Sequence, residues 1–262
     1  MAGDKQDYDL LIEMRTATRR SHNIANALIL SKLVLVLTDK RLYAQALSSF
    51  LPVYSKLEAL LQQHKDVPGL STVVAVTSTI PARTAAMEQD LAYLLGPNWR
   101  SYIPSSQAAA AYAAHLEQLA AANPVLLLPY AFSLYVPILL GFMARRIQKS
   151  LALPEGQGLE FFTIPDKAGK LAQLRAAVTH AGGELPSQQL RQSLLAEAVE
   201  QFRRNNAVVA EFRVGWRAVL HAALLVLRRS MRYAVVAAAV VVGLLSVAAA
   251  AGVLPAGLFA RR

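Results

Sequence analysis

The chain has 262 residues, 55% of them hydrophobic, a formal net charge of +10 and an isoelectric point near 10.0. It contains no cysteine, which excludes a disulfide framework, thiolate metal sites, a cysteine nucleophile and thioether attachment of a prosthetic group. The apolar share exceeds the roughly 45–50% usual in soluble proteins, so part of the chain is expected in lipid; the dispersed basic residues carry no nucleic-acid motif and leave a solvated surface, anionic lipid or an acidic protein as their partner.

The first segment, "MAGDKQDYDLLIEMRTATRR", has acids ahead of its apolar cluster and no uninterrupted apolar core, so it does not read as a secretory signal. From Tyr8 to about Ser31 apolar and basic positions recur at helical spacing. Asp39 supplies N-cap chemistry for a second helix reaching His64, in which Pro52 predicts a kink rather than a break. Residues 65–81, "KDVPGLSTVVAVTSTIP", read as a loop or short extended element, and no alternating strand series is visible. Two further helices are expected at Arg83–Leu95 and Ser105–Ala122, punctuated by "GPNWRSYIP".

Residues 123–146, "NPVLLLPYAFSLYVPILLGFMARR", carry no charge until the last two positions. The length suits a membrane span, a buried core helix, or a surface lying against a large apolar ligand. Pro124, Pro129 and Pro137, together with an amphipathic continuation that offers no return span, argue against a crossing. A connector follows, "LALPEGQGLEFFTIPDKAG", and then a long helix expected from about Pro186 to Leu227 with Arg203, Arg204, Arg213, Arg217 and Arg228 along it. Ala234–Leu254 is uncharged and long enough to cross a hydrocarbon core of about 30 Å. It is expected to be a tail anchor, with residues 1–227 forming one helical domain on the side of Arg228, Arg229 and Arg232, normally the cytosol.

Arg15, Thr18, Arg19, His22, Asn26 and Ile29 follow one another at steps of three and four, and so share a helix face. One imidazole flanked by cations can bind an anionic, metal-bearing ligand, although a lone histidine is more often an exposed or hydrogen-bonded structural residue.

The blocks "RRSHNIANA", "ARTAAMEQDLAYLLGPNWRSYIP" and "ARRIQKSLALPEGQGLEFFTIP", followed by the apolar tail, resemble the heme oxygenase family in the same order and at similar intervals, over roughly Tyr8 to Phe212. The resemblance implies an all-α domain that holds heme b, as substrate and cofactor, between a proximal and a distal helix. It places His22 at the axial iron ligand and Arg15 at a position that contacts a heme propionate. Phe132 falls beside the heme edge, and Lys170 and Arg175 near the second propionate cluster. It also implies electrons from NADPH through a flavoprotein reductase, whose acidic surface the basic chain would attract. The moderately hydrophobic tail with basic flanks suits the endoplasmic reticulum membrane, with a mitochondrial or plastid outer membrane as the alternative.

One departure stands out. The family's distal helix carries a Gly-Asp-x-x-Gly-Gly pattern, in which the glycines admit the heme and the aspartate orders water. Here "VPILLGFM" puts Pro137 and Ile138 in place of the Gly-Asp pair, keeps Gly141 as the close-approach residue, and has Phe142 next. An isoleucine cannot hydrogen-bond water. Loss of one such group would cost about 2.7–4 kcal/mol of transition-state stabilisation if it behaved like a lost oxyanion donor. The functional expectation is therefore a heme oxygenase yielding biliverdin, carbon monoxide and ferrous iron. Its rivals are a heme-binding or heme-sensing pseudoenzyme of the same fold and a membrane-tethered helical bundle without heme.

Overall fold

The computed structural model describes residues 9–212, and among these the only regular elements are helices. In chain order they are α1 (Leu10–Val36), α2 (Lys40–Ser49), α3 (Leu51–Gln63), α4 (Ser71–Thr77), α5 (Arg83–Leu95), α6 (Gln107–Ala122), α7 (Leu128–Leu139), α8 (Phe142–Leu151), α9 (Lys167–Gly183) and α10 (Gln188–Glu211). Short 3-10 turns occupy Trp99–Tyr102, Pro124–Leu127 and Glu160–Phe162. The expected span at 234–254 and the expected domain limit at 227 lie outside the described residues.

Local chemistry sets most of the helix starts. Asp39 Oδ1 accepts the amides of Arg41 and Leu42 at 2.7 and 3.2 Å, Ser187 Oγ accepts that of Leu190, and Asp166 Oδ1 accepts that of Gly169. Each satisfies an amide the first helical turn leaves unpaired. Distant carboxylates serve two more starts: that of α5, whose own sequence lacks such a cap, and that of α6, where one adds to Ser106 Oγ accepting the Ala109 amide. Glu58 on α3 accepts the amides of Arg83 and Thr84 and the Thr84 hydroxyl, closing the start of α5. Glu211, at the end of α10, accepts from Ser106 Oγ and from the amides of Gln107 and Ala108 at the start of α6.

Two expectations are corrected. Pro52 does not kink one helix: α2 ends at Ser49, and the proline sits in the first turn of a separate α3, where its missing N–H costs nothing. Residues 71–77 are the helix α4 rather than loop or strand, with Val73 and Val74 buried. The β-branched run suggested extension, and packing against α9 overrode that preference.

The core is continuous from α1 to α10 and includes Leu10, Met14, Leu57, Leu70, Met87, Leu91, Leu116, Leu128, Tyr130, Ile138, Leu174 and Leu194. α1 lies along α10 and also packs on α9; α7 packs on the same two helices, and α1 and α7 share no extensive contact of their own. The α1–α10–α9 junction is fixed by Arg191, whose guanidinium pairs with Glu13 at 3.1 Å and donates to the Gly182 carbonyl at 2.8 Å. Gly182 itself admits α1, because a Cβ there would lie 2.6 Å from Leu10 Cβ. At the other end of α1, Lys32 Nζ donates to the carbonyls of Val209, Ala210 and Phe212, satisfying the C-terminal turn of α10.

No single helix among the described residues is long and apolar enough to cross a membrane. Pro124–Leu139 and Phe142–Leu151 pass together by length and composition, but are bent by 55°. Leu128, Pro129, Tyr130, Ala131, Leu134, Tyr135, Ile138 and Leu139 are buried against the domain, so α7 is built as a core helix.

Candidate functional site

His22 lies mid-way along α1 on an exposed stretch, with its ring edge against Phe202 of α10 at a centroid distance of 5.7 Å and an interplanar angle of 72°. Arg15, two turns earlier on the same face, is exposed and makes no ion pair among the described residues. Phe202 escaped the sequence reading because it is embedded in the basic run "EQFRRNN", which reads as solvated surface. Its helical offset from the buried Leu194, Ala198 and Gln201 was the available signal.

The distal helix that the resemblance implies is α7, with α8 after it. While one face of α7 is buried, Phe132, Ser133 and Val136 are half-buried and Pro137 and Leu140 exposed, a stripe at helical spacing turned away from the core. Ser133 is its only side chain able to hydrogen-bond. Ile138 is not on this stripe: it is 2% exposed and packs inward. Ile138, which the resemblance sets in place of the family's aspartate, thus lies toward the core, while the helical step of 100° leaves Val136, Pro137 and Leu140 on the open side.

Three tyrosines and their partners set the rotation of α7. Tyr54 OH donates to the Leu134 carbonyl at 2.8 Å, Tyr135 OH to Glu58 at 3.2 Å, and Tyr130 OH to Glu197 at 2.6 Å, where His115 Nε2 also meets the same carboxylate at 2.9 Å. Burial pushes all three phenols above their usual range and nearby carboxylates push them further, so they stay neutral donors. Gly141 then ends the helix with φ of +73°. A side chain there would be strained, and its Cβ would meet Lys167 Cδ at 3.3 Å and Nζ at 3.6 Å.

That contact locates α9. Its first residue, Lys167, lies over the α7–α8 break, and its far end reaches α1 through Gly182 against Leu10 and Thr179 Oγ1 donating to Asp9 at 3.0 Å. α9 therefore runs from the α7–α8 break to the start of α1, and α10 packs on both α1 and α7. Of the cations expected on it, Arg175 is exposed, whereas Lys170 donates to Thr79 Oγ1 at 2.6 Å and so faces the end of α4. Phe132 sits on the half-buried stripe, packed at the edge of the core.

The two sequence blocks with the most distinctive composition meet in a scaffold. Asp90 on α5, fully buried, accepts the amides of Glu160 and Phe161 at 2.8 and 2.9 Å. Arg83, 1% exposed, donates to the carbonyls of Pro81, Glu160, Phe161 and Thr163. Burial raises the Asp90 pKa to about 6 against the pull of its two amide donors, and burial lowers that of Arg83. Together they shape the turn that delivers α9 to Gly141.

Residues 8–211 match the sequence model of a family described as Heme oxygenase. A curated relative named "Heme oxygenase 2" from Synechocystis is 31% identical over 163 residues, covering 60% of this chain and 64% of its own length. The human "Heme oxygenase 1" is 30% identical over 208 residues, 77% of this chain and 71% of its own. Among solved structures, heme oxygenase 2 from Chlamydomonas reinhardtii without heme superposes with a TM-score of 0.75 at 29% identity, covering 79% of this chain and 99% of that one. Heme oxygenase-1 from Synechocystis in complex with heme gives 0.70 at 26%, covering 84% and 99%.

Proposed function

The chain belongs to the heme oxygenase family, and on that premise we propose that it opens the ring of protoheme to biliverdin, releasing carbon monoxide and ferrous iron. The observation that carries this reading is the pairing of one exposed imidazole on α1 with an apolar stripe on α7, on two helices that both pack against α9 and α10 yet share no extensive contact with each other.

The residues fit the group. His22 would hold the iron through an imidazole nitrogen, and its contact with Phe202 restricts the ring's rotation. Phe132, Val136 and Leu140 offer a flat apolar surface on the other side, and Arg15 and Arg175 present guanidinium groups suited to propionate carboxylates. When bound, heme supplies both the redox centre and the carbon skeleton that is oxidised. The α7 stripe would exclude bulk water from the bound group, with α7 kept at a fixed rotation through Tyr54, Tyr130 and Tyr135. Lys170, already hydrogen-bonded to Thr79, is the weaker of the two α9 propionate candidates.

Electrons reach the site from NADPH through a flavoprotein reductase. The exposed Arg145, Arg146 and Lys149 of α8, beside the α7 break, suit an acidic partner. Residues 234–254 supply a single-pass anchor with the helical domain on the cytosolic side of the endoplasmic reticulum. The paucity of hydrogen-bonding side chains on the α7 stripe favours one second reading, a heme-binding protein that does not open the ring. Incubating the purified chain with hemin, a flavoprotein reductase and NADPH separates the two. Growth of biliverdin absorbance is the expected outcome, and a heme band that persists or bleaches without biliverdin rejects the enzyme.

A further inference from the structure

The α7 stripe leaves water on the distal side with one hydroxyl, that of Ser133, as its only side-chain partner. The group nearest the break is on another helix. Lys167 packs its aliphatic chain against Gly141, with Nζ 3.6 Å from the point a Cβ would occupy. A glycine at this point leaves room for that chain, so the side chain α7 lacks at its last turn is replaced in space by one from α9.

The ammonium makes no hydrogen bond or ion pair among the described residues, and the adjacent carboxylate of Asp166 is spent on the Gly169 amide. Arg83 is the other cation whose charge reaches it, and the Arg83 guanidinium is saturated by carbonyls. Burial, with the Arg83 charge added, lowers the Lys167 pKa, as expected for a half-buried ammonium awaiting an acceptor. Three donors on a flexible stem with no acceptor among the described residues are suited to water or to a ligand oxygen.

Resting on the heme oxygenase reading above, we propose that Lys167 is a positioning residue for the distal side of the pocket: its ammonium, laid over the Gly141 break, holds the water and polarises the ligand that α7's own side chains cannot. The role is electrostatic, so it is carried by the charge and donors of the residue and not by its bulk.

The test uses the full chain in detergent, loaded with hemin, and two probes that do not depend on turnover. The first is the C–O stretching frequency of the ferrous carbon monoxide complex, which falls when a cation or donor approaches the oxygen. The second is the affinity of the ferric form for azide, an anion. Lys167→Met is expected to raise the stretching frequency and weaken azide binding about tenfold, the effect of one charged contact, while Lys167→Arg restores both. An unchanged stretch and azide affinity in Lys167→Met overturns the proposal. If the Met variant fails to fold, Lys167→Gln, which keeps a donor and loses the charge, must weaken azide binding or the proposal falls. Weaker hemin affinity with an unchanged stretch would place the ammonium on a propionate instead, and also overturns it. A wild-type chain that takes up no hemin rejects the underlying reading, a result distinguishable from all of these.

Discussion

The amide of Phe161 donates to the carboxylate of Asp90 at 2.9 Å, joining two positions 71 residues apart in sequence. With Arg83 gripping the carbonyls on either side, α5 fixes both the donors and the acceptors of the turn at 160–163. The distinctive blocks "ARTAAMEQDL" and "LEFFTIP" therefore mark the family through its scaffold, and the pocket side chains lie on less distinctive segments. The turn matters to function because α9 begins four residues after it and must reach Gly141 at one end and Leu10 at the other.

The buried carboxylate makes stability depend on pH in an uncommon direction. With its pKa raised from 3.8 to about 6, Asp90 binds a proton more tightly in the folded state than in the unfolded chain. Its contribution is full below the unfolded value and is lost as pH rises to about 6, by at most roughly 3 kcal/mol for a shift of this size. Asp90→Asn keeps one acceptor oxygen and removes the ionisation. Denaturant midpoints between pH 4 and 7 should decline in the wild type relative to the Asn variant, and parallel curves would contradict the assignment.

Arg83→Met is expected to be among the most damaging single changes. It strands the carbonyls of Glu160 and Phe161 and leaves Asp90 without its nearest cation, a loss of about 3–5 kcal/mol for breaking a buried charged arrangement. Chemical denaturation would measure it, and a loss under 1 kcal/mol would show that solvent reaches the turn. Arg83→Lys should recover little, since one ammonium cannot span four carbonyls as a planar guanidinium does.

Helix periodicity and capping made α1, α5 and α6 legible, with the α5 limits read directly from Arg83–Leu95. What failed was local propensity under tertiary pressure. The Val-rich α4 is helical because Val73 and Val74 are buried against α9, and Pro52 starts a helix because Phe50 ends the one before it. Of the site, His22 and Arg15 were visible as a face, whereas the burial of Ile138 and the approach of Lys167 to Gly141 depend on how α7 is rotated. That rotation is set by Tyr54, Glu58 and Glu197, which lie far away in sequence and carry no local pattern.

If His22 ligates iron, His22→Ala should move the Soret maximum and change the spin state of the hemin complex, with hemin still entering the apolar slot. Added imidazole should restore the wild-type spectrum by filling the space the ring vacates. Identical spectra for wild type and variant would remove His22 from the iron.

Lys32 offers a test of how α1 is held. Its ammonium closes three carbonyls at the end of α10, and burial lowers its pKa. Lys32→Met should cost about 0.5–1.5 kcal/mol, because the half-exposed carbonyls that lose their charged donor can turn to water. Hydrogen exchange should quicken first in the last turn of α10; uniform exchange along the helix would point to a global loss of stability.

Gly141 can be tested so that its two roles come apart. Its φ of +73° demands a residue tolerant of the left-handed region, and its Cβ position lies against Lys167. Gly141→Ala should cost about 1–3 kcal/mol in backbone strain. Asparagine tolerates this conformation better than alanine but is larger. If the backbone angle is what requires glycine, Gly141→Asn will be the more stable of the two in urea; if the approach of Lys167 is, it will be the less stable. The Lys167 contact is to the end of a flexible chain that can swing aside, whereas the torsion cannot be relieved without unwinding the break between α7 and α8. The expected order is therefore glycine, then asparagine, then alanine.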